Sequence, residues 1–165
     1  MGEDITIACG DGIVNMRVGA IIIKDDKILM TGAEGIDYFY SVGGRIKHGE
    51  TAGEAVEREV CEEPGVRLKA ERLAIVHENY FYGDTNKTKD KLVYEVAFFY
   101  VMEVPDDFEP VCNSFNSDGS GEFLQWIELD SGVKRYPDFY NDKLPQLLSE
   151  KSVIHLVTDE RKRDA

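Results

Sequence analysis

The sequence predicts an α+β fold in one domain spanning residues 1–165, and three observations predict it. Runs rich in β-branched and aromatic residues, bounded by Gly, Asp and Pro, recur along the chain and read as strands. Only two stretches carry helical signals. No internal repeat and no linker divides the chain, so strands and helices are expected to share one core.

The elements follow in order. Residues 4–8, "DITIA", and 17–23, "RVGAIII", read as strands; "KDDK" at 24–27 turns the chain and "ILM" at 28–30 returns it. "DYFYSV" at 37–42 is an aromatic strand ended by Gly43-Gly44. A helix over 51–63 has the most legible signals. Thr51 and Glu54 form the pattern of a capping box, and Ala52, Ala55, Val56 and Val60 supply an apolar stripe. Pro64 and Gly65 stop it. Residues 71–82 and 91–104 read as the two arms of a long hairpin. If it closes around 86–87, Glu78 falls opposite Glu95. Residues 105–122 form a long polar loop, 123–129 a strand, 137–149 a helix limited or kinked by Pro145, and "SVIHLVTDE" a closing strand before a charged tail.

Charge bounds the partners. The formal net charge of −13 disfavours a nucleic-acid polymer or an anionic membrane as partner, and a phosphate-bearing substrate needs a cation to bring it in. No apolar run is long enough for a membrane span. "MGEDITIACG" carries acids where an export signal carries bases, and Cys9, Cys61 and Cys112 form no C-x-x-C pair. The expectation is therefore a cytoplasmic protein without disulfides.

The acids are concentrated: six glutamates lie between Glu50 and Glu63. On a helix, Glu59, Glu62 and Glu63 stand at i, i+3 and i+4 and share one face. Two carboxylates about 4 Å apart repel by roughly 1 kcal/mol in water and about 4 kcal/mol at a protein-surface dielectric. A hard divalent cation turns that repulsion into attraction, and Mg²⁺ takes such oxygen ligands while sharing itself with substrate phosphates. By helix geometry alone, a solvated acidic face accounts for the triplet equally well.

The wider spacing decides. Gly44, five residues, Glu50, seven residues, then Arg58-Glu59-Val60-Cys61-Glu62-Glu63-Pro64-Gly65-Val66 resembles the signature of the Nudix hydrolases, of the small MutT-like type. All seven fixed residues and both hydrophobic positions match. The resemblance implies an α/β/α sandwich with a central mixed sheet. It also implies hydrolysis of a nucleoside diphosphate linked to another moiety, assisted by Mg²⁺ or Mn²⁺. Nucleoside triphosphates, dinucleoside polyphosphates, ADP-ribose and nucleotide sugars are the substrate classes. In such proteins Glu59, Glu62 and Glu63 hold the metals, Glu50 completes the shell or positions Arg58, and Arg58 orients the glutamates through a forked pair of hydrogen bonds. Gly44 and Gly65 permit close approach and chain reversal. Pro64 departs from the residue usual in the family and puts the aim of Glu63 in question.

Outside the signature the general base stays open between Glu59, Glu78, Glu95 and Glu122. Tyr38, Tyr40, Tyr80, Phe81 and Tyr82 are candidates for stacking on a base. In the family this sequence resembles, a proline about sixteen residues past the signature goes with ADP-ribose and a tyrosine with dinucleoside polyphosphates; Tyr82 lies sixteen past Val66 with no proline close, so the resemblance leans toward dinucleoside polyphosphates or triphosphates. His48, His77 and His155 read as surface or structural residues. The rival to an enzyme is a non-hydrolytic nucleotide sensor, which usually loses the glutamates kept here. A homodimer is plausible from the aromatic strands and the family's habit.

Overall fold

A computed structural model describes residues 2–62, 66–84, 88–110 and 121–161. Its elements are β1 (Thr6–Cys9), β2 (Gly12–Ile21), β3 (Ile23–Lys24), β4 (Lys27–Ala33), β5 (Phe39–Ser41), β6 (Gly43–Arg45), α1 (Ala52–Glu62), β7 (Ala70–Tyr82), β8 (Leu92–Met102), β9 (Glu122–Glu128), β10 (Arg135–Tyr136), α2 (Phe139–Asp142), α3 (Leu144–Ser149) and β11 (Ile154–Asp159). The α+β expectation holds.

Two sheets carry the fold. The first runs β1-β2-β8-β7-β11 with β6 on β2, and it is mixed: β2 is parallel to β8 and β11 to β7, while β7 and β8 are antiparallel. The second runs β10-β5-β4-β3 with β9 on β4. Side chains alternate across a strand, so each face of the first sheet has its own cover. On one face Val18, Ala20 and Ile22 pack with Ala55, Val56 and Val60 of α1. On the other, Ile21, Ile75, Ala97 and Phe99 pack with Met30 and Ile127 of the second sheet and with Phe139, Tyr140, Leu144 and Leu147 of α2 and α3. Val56 and Val60 are fully buried, each contributing about 1.5–3 kcal/mol by apolar burial. That is the stripe the helical spacing marked.

The helix begins as its sequence dictates. The Thr51 hydroxyl accepts from the Glu54 amide at 3.3 Å, and the Glu54 carboxylate accepts from the Thr51 amide at 2.8 Å. Both donors would otherwise be orphaned at a helix start. The stop signals at Pro64 and Gly65, like most of the 105–122 loop, lie outside the described residues.

Three expectations are corrected. Gly43-Gly44 does not end the strand: β5 belongs to the second sheet and β6 to the first, and the chain changes sheets at Val42–Gly43. At Gly43 (φ 154°) a Cβ would run into the Val18 carbonyl, so glycine permits the crossing. The 137–149 helix is two short helices meeting at Lys143, with Pro145 in the first turn of the second, where a missing N–H costs nothing. The two-residue strand β10 was too short to read.

The third correction concerns register. The 71–104 hairpin forms, but Asn79, not Glu78, stands opposite Glu95, and Glu78 stands opposite Val96. A slip of one residue moves a side chain to the other face, so Glu78 and Glu95 lie on opposite sides of the sheet.

Candidate active site

Helix α1 brings Arg58 under the carboxylates that flank it in sequence. Its Nη2 donates to Glu50 Oε1 at 2.6 Å and its Nε to Glu50 Oε2 at 3.0 Å, a forked pair. Its Nη1 donates to Glu59 at 2.6 Å and to Glu62, one turn on, at 3.4 Å. Nη2 also reaches the Arg45 carbonyl at 3.0 Å, which ties the helix to β6. One planar guanidinium thus holds three carboxylates at once, a task the point charge of a lysine cannot perform.

The three acids differ in environment. Both oxygens of Glu50 are engaged, since Oε1 also accepts from the Lys47 amide at 2.7 Å. Its hydrogen bond to Arg58 holds the carboxyl below the usual carboxylate range. Glu59 is the most enclosed, its side chain 13% exposed, and burial pushes its pKa up against the pull of Arg58. Glu62 faces solvent, its side chain 52% exposed. The Glu59 carboxylate packs against Gly44, where any Cβ would collide with it. Gly44 is therefore a glycine because Glu59 occupies the space of its side chain.

A cleft of about 1030 Å³ opens on the other face of the first sheet. Arg17, Glu95 and Asn79 contribute from its strands, Tyr38, Tyr40 and Tyr136 from β5, β10 and the segment before β5, and Glu122 from the start of β9. Its rim includes Val18 and Ser41. Val18 pairs with Gly44, and Ser41 lies two residues before Gly43. The cleft therefore borders the strand on which the Glu59 carboxylate rests.

The expected residues divide between these places. Arg58, Glu50, Glu59, Glu62 and Gly44 come together. Glu63 lies outside the described residues. Glu95 does not join them; its 16%-exposed side chain lines the cleft, 3.9 Å from Arg17. Tyr82, 49% exposed, also lines the cleft. Glu122 accepts from the Tyr40 hydroxyl at 2.7 Å. Glu78 is instead bound by the Tyr94 hydroxyl at 2.6 Å and His155 at 2.7 Å, on the face that carries α1. His77 is buried against Phe139 and bonded to Thr158 at 2.9 Å, a structural histidine as read.

Sequence reasoning missed Arg17 and Asn79, which line the cleft, and Asn15, buried beside Glu95 in the sheet. The signal for the asparagines was present: Asn is depleted in strands, and both interrupt strand-like runs, "GIVNMRVG" and "IVHENYFY". Among the described residues no three of His, Cys, Asp or Glu converge to hold an ion. Among the same residues, no helix is long and apolar enough to cross a membrane.

The NUDIX domain model matches residues 15–148 of this chain. No curated protein sequence matches it. Among solved structures, a UDP-X diphosphatase superposes with a TM-score of 0.60 at 24% identity, covering 91% of this chain and 69% of that one. A MutT protein from Bacillus halodurans gives 0.64 at 17% identity over 87% and 90% of the two chains. A MutT NUDIX hydrolase from Burkholderia pseudomallei gives 0.52 at 25% identity over 72% and 85%.

Proposed function

The chain belongs to the NUDIX domain family, and from that premise we propose that it is a divalent-metal-dependent hydrolase of a nucleoside diphosphate linked to another moiety. The single observation that carries the reading is the Arg58 fork, which presents Glu59 and Glu62 side by side on one face of α1. A structural salt bridge needs one carboxylate. Three carboxylates on one cation leave negative charge in excess, which an ion or a substrate's counter-ion neutralises.

The donor set fits Mg²⁺ or Mn²⁺. It is all oxygen, it is partly open to solvent at Glu62, and Gly44 leaves the Glu59 carboxylate its space. Glu59 and Glu62, with Glu63, would hold the ion, which when bound neutralises diphosphate oxygens and makes water a stronger nucleophile. Glu50 is assigned to positioning, since both its oxygens already serve Arg58 and Lys47. Arg58 acts through the glutamates by fixing their rotamers.

The substrate's remaining moiety is assigned to the cleft, whose rim at Val18 and Ser41 adjoins β6. Arg17 stands at that border, directly opposite Arg45 in the β2–β6 pair, and supplies positive charge near the diphosphate. Glu95 and Tyr82 are assigned to this moiety and not to the water. The same reading treats residues 1–165 as one hydrolase domain, acting in the cytoplasm, with a homodimer as a state to be measured by light scattering.

The test is a substrate panel with Mg²⁺ or Mn²⁺, read by chromatographic separation of the nucleotide products, on the wild type beside Glu62→Gln. Turnover of nucleoside triphosphates, ADP-ribose, nucleotide sugars or dinucleoside polyphosphates that disappears in the folded variant is expected. Undiminished turnover in Glu62→Gln, or none by the wild type on any compound, would sink the reading.

A further inference from the structure

Three neighbouring strands set one polar row across the sheet face that lines the cleft. In the parallel β2–β8 pair Asn15 stands beside Glu95, and in the antiparallel β7–β8 pair Asn79 stands opposite Glu95. Register partners point to the same face, and adjacent strands lie about 4.7–4.9 Å apart, so the three side chains form a continuous line. Above this row the same face carries Arg17, Ala97 and His77, with Phe99 beyond; below it lie Val93 and Phe81, and Thr158 stands beside Asn79 at its end.

Two acceptor atoms of the row have no hydrogen-bond donor. Asn15 is 3% exposed, and its Oδ1 has no hydrogen-bond partner. Asn79 Oδ1 is likewise shielded from solvent and has no partner. Between them Glu95, 16% exposed, has a loose ion pair with Arg17 at 3.9 Å, beyond hydrogen-bond range. Buried polar groups are satisfied in nearly all native structures, so two orphaned amide oxygens flanking one carboxylate require an explanation. Glu95 and Asn79 line the cleft, so a bound ligand can bring donors to them; Asn15, which does not line it, lies buried behind.

A bare cation is the weaker occupant, because the Arg17 guanidinium already lies beside Glu95 and repels it. A group carrying two or more N–H donors suits the row better. One carboxylate accepts two adjacent N–H groups in parallel, and the neighbouring Asn79 amide oxygen can accept beside it. We propose that Glu95 and Asn79, with Asn15 buried behind them, form an acceptor pair that recognises adjacent N–H donors on the moiety held in the cleft, so that the chain selects an amino-bearing group over its counterpart lacking the amine. This rests on the assignment of the cleft to the substrate's second moiety. The row makes Glu95 a specificity residue.

The N–H group can belong to a nucleobase or to a sugar, and two ligand pairs separate them. Binding of GTP against ITP, and of UDP-glucosamine against UDP-glucose, is measured by calorimetry with Ca²⁺ in place of Mg²⁺. GTP carries an amino group where ITP has hydrogen, and UDP-glucosamine an amine where UDP-glucose has a hydroxyl. At least about a tenfold preference for the amino member is expected in one pair, because a site built to pair a donor is left unpaired without it. The pair that responds names the source. Glu95→Gln and Asn79→Leu, each checked for an unchanged melting profile, should each reduce that preference to within about threefold.

Neither pair differing by more than about threefold, binding by none of the four ligands, or a preference that survives both substitutions overturns the inference. So does a Glu95-dependent second Ca²⁺ site. Turnover of the same compounds with Mg²⁺ is scored separately. Hydrolysis without discrimination defeats the row and leaves the hydrolase standing; discrimination without hydrolysis does the reverse.

Discussion

Arg58 and Glu50, eight residues apart, meet through a two-pronged contact of 2.6 and 3.0 Å at the base of helix α1. The contact is planar and specific to a guanidinium, and the same residue's remaining nitrogen steers Glu59 and Glu62.

Replacing Arg58 by Lys keeps the charge and loses the fork. Groups that orient metal-binding side chains typically contribute 10- to 100-fold, so kcat/KM in Arg58→Lys should fall by about that factor. Titration with Mn²⁺ should show weaker metal binding in parallel. A variant as active as wild type at every metal concentration would remove Arg58 from its proposed role.

Gly44→Ala places a methyl group where the Glu59 carboxylate sits. Overpacking of this kind costs about 1–3 kcal/mol if the carboxylate stays, and far less if it swings away. The expected result is a small shift in Tm with a large loss of activity. A large Tm drop with activity retained in the folded fraction would mean that the carboxylate's place matters to folding alone.

The acid limb of stability should depend on Glu50. Its folded-state pKa is depressed, so its contribution is present above the unfolded value near 4.5 and is lost as pH falls through the lower folded value. Charge-assisted hydrogen bonds contribute about 1.5–3 kcal/mol, and Glu50→Gln should lose a comparable amount at neutral pH. Glu59 works in the opposite sense: burial raises its folded pKa, so its ionisation costs stability as pH rises through that value. Denaturant unfolding across roughly pH 3 to 6 should show a shallower acid decline in Glu50→Gln than in wild type. Parallel curves would place the acid sensitivity elsewhere.

Glu78 offers a control on the register. Its hydrogen bond pushes the Tyr94 hydroxyl up to about 12, and Tyr94 and His155 hold the Glu78 carboxyl down. Glu78→Gln should lower the Tyr94 pKa toward its ordinary value, visible by ultraviolet titration of the tyrosines. Hydrolysis should change by less than about twofold, as for surface substitutions away from a site. A tenfold loss of turnover would return Glu78 to the list of general bases.

Much of the fold was legible because its signals are local. The capping box at Thr51 and Glu54, the apolar stripe through Val56 and Val60, and the turn at 24–27 involve residues a few positions apart. Their geometry follows from one helical or strand period. The Arg58 cluster was legible for the same reason, since Glu59 and Glu62 are its neighbours on the helix. Glu50 was the partial exception. Only its two bonds to Arg58, invisible in the spacing, support the positioning role proposed for it.

What the sequence by itself determined is the family, the helix and the carboxylates it carries, all set by intervals along one element. What only the tertiary structure decided is which face each strand residue takes. The β7–β8 register puts Asn79 opposite Glu95 and sends Glu78 to the side of α1, and the β2–β8 pairing adds Asn15 to the row. A strand alternates with period two, so one residue of slip reverses every assignment, and the slip is settled by the packing of the whole sheet.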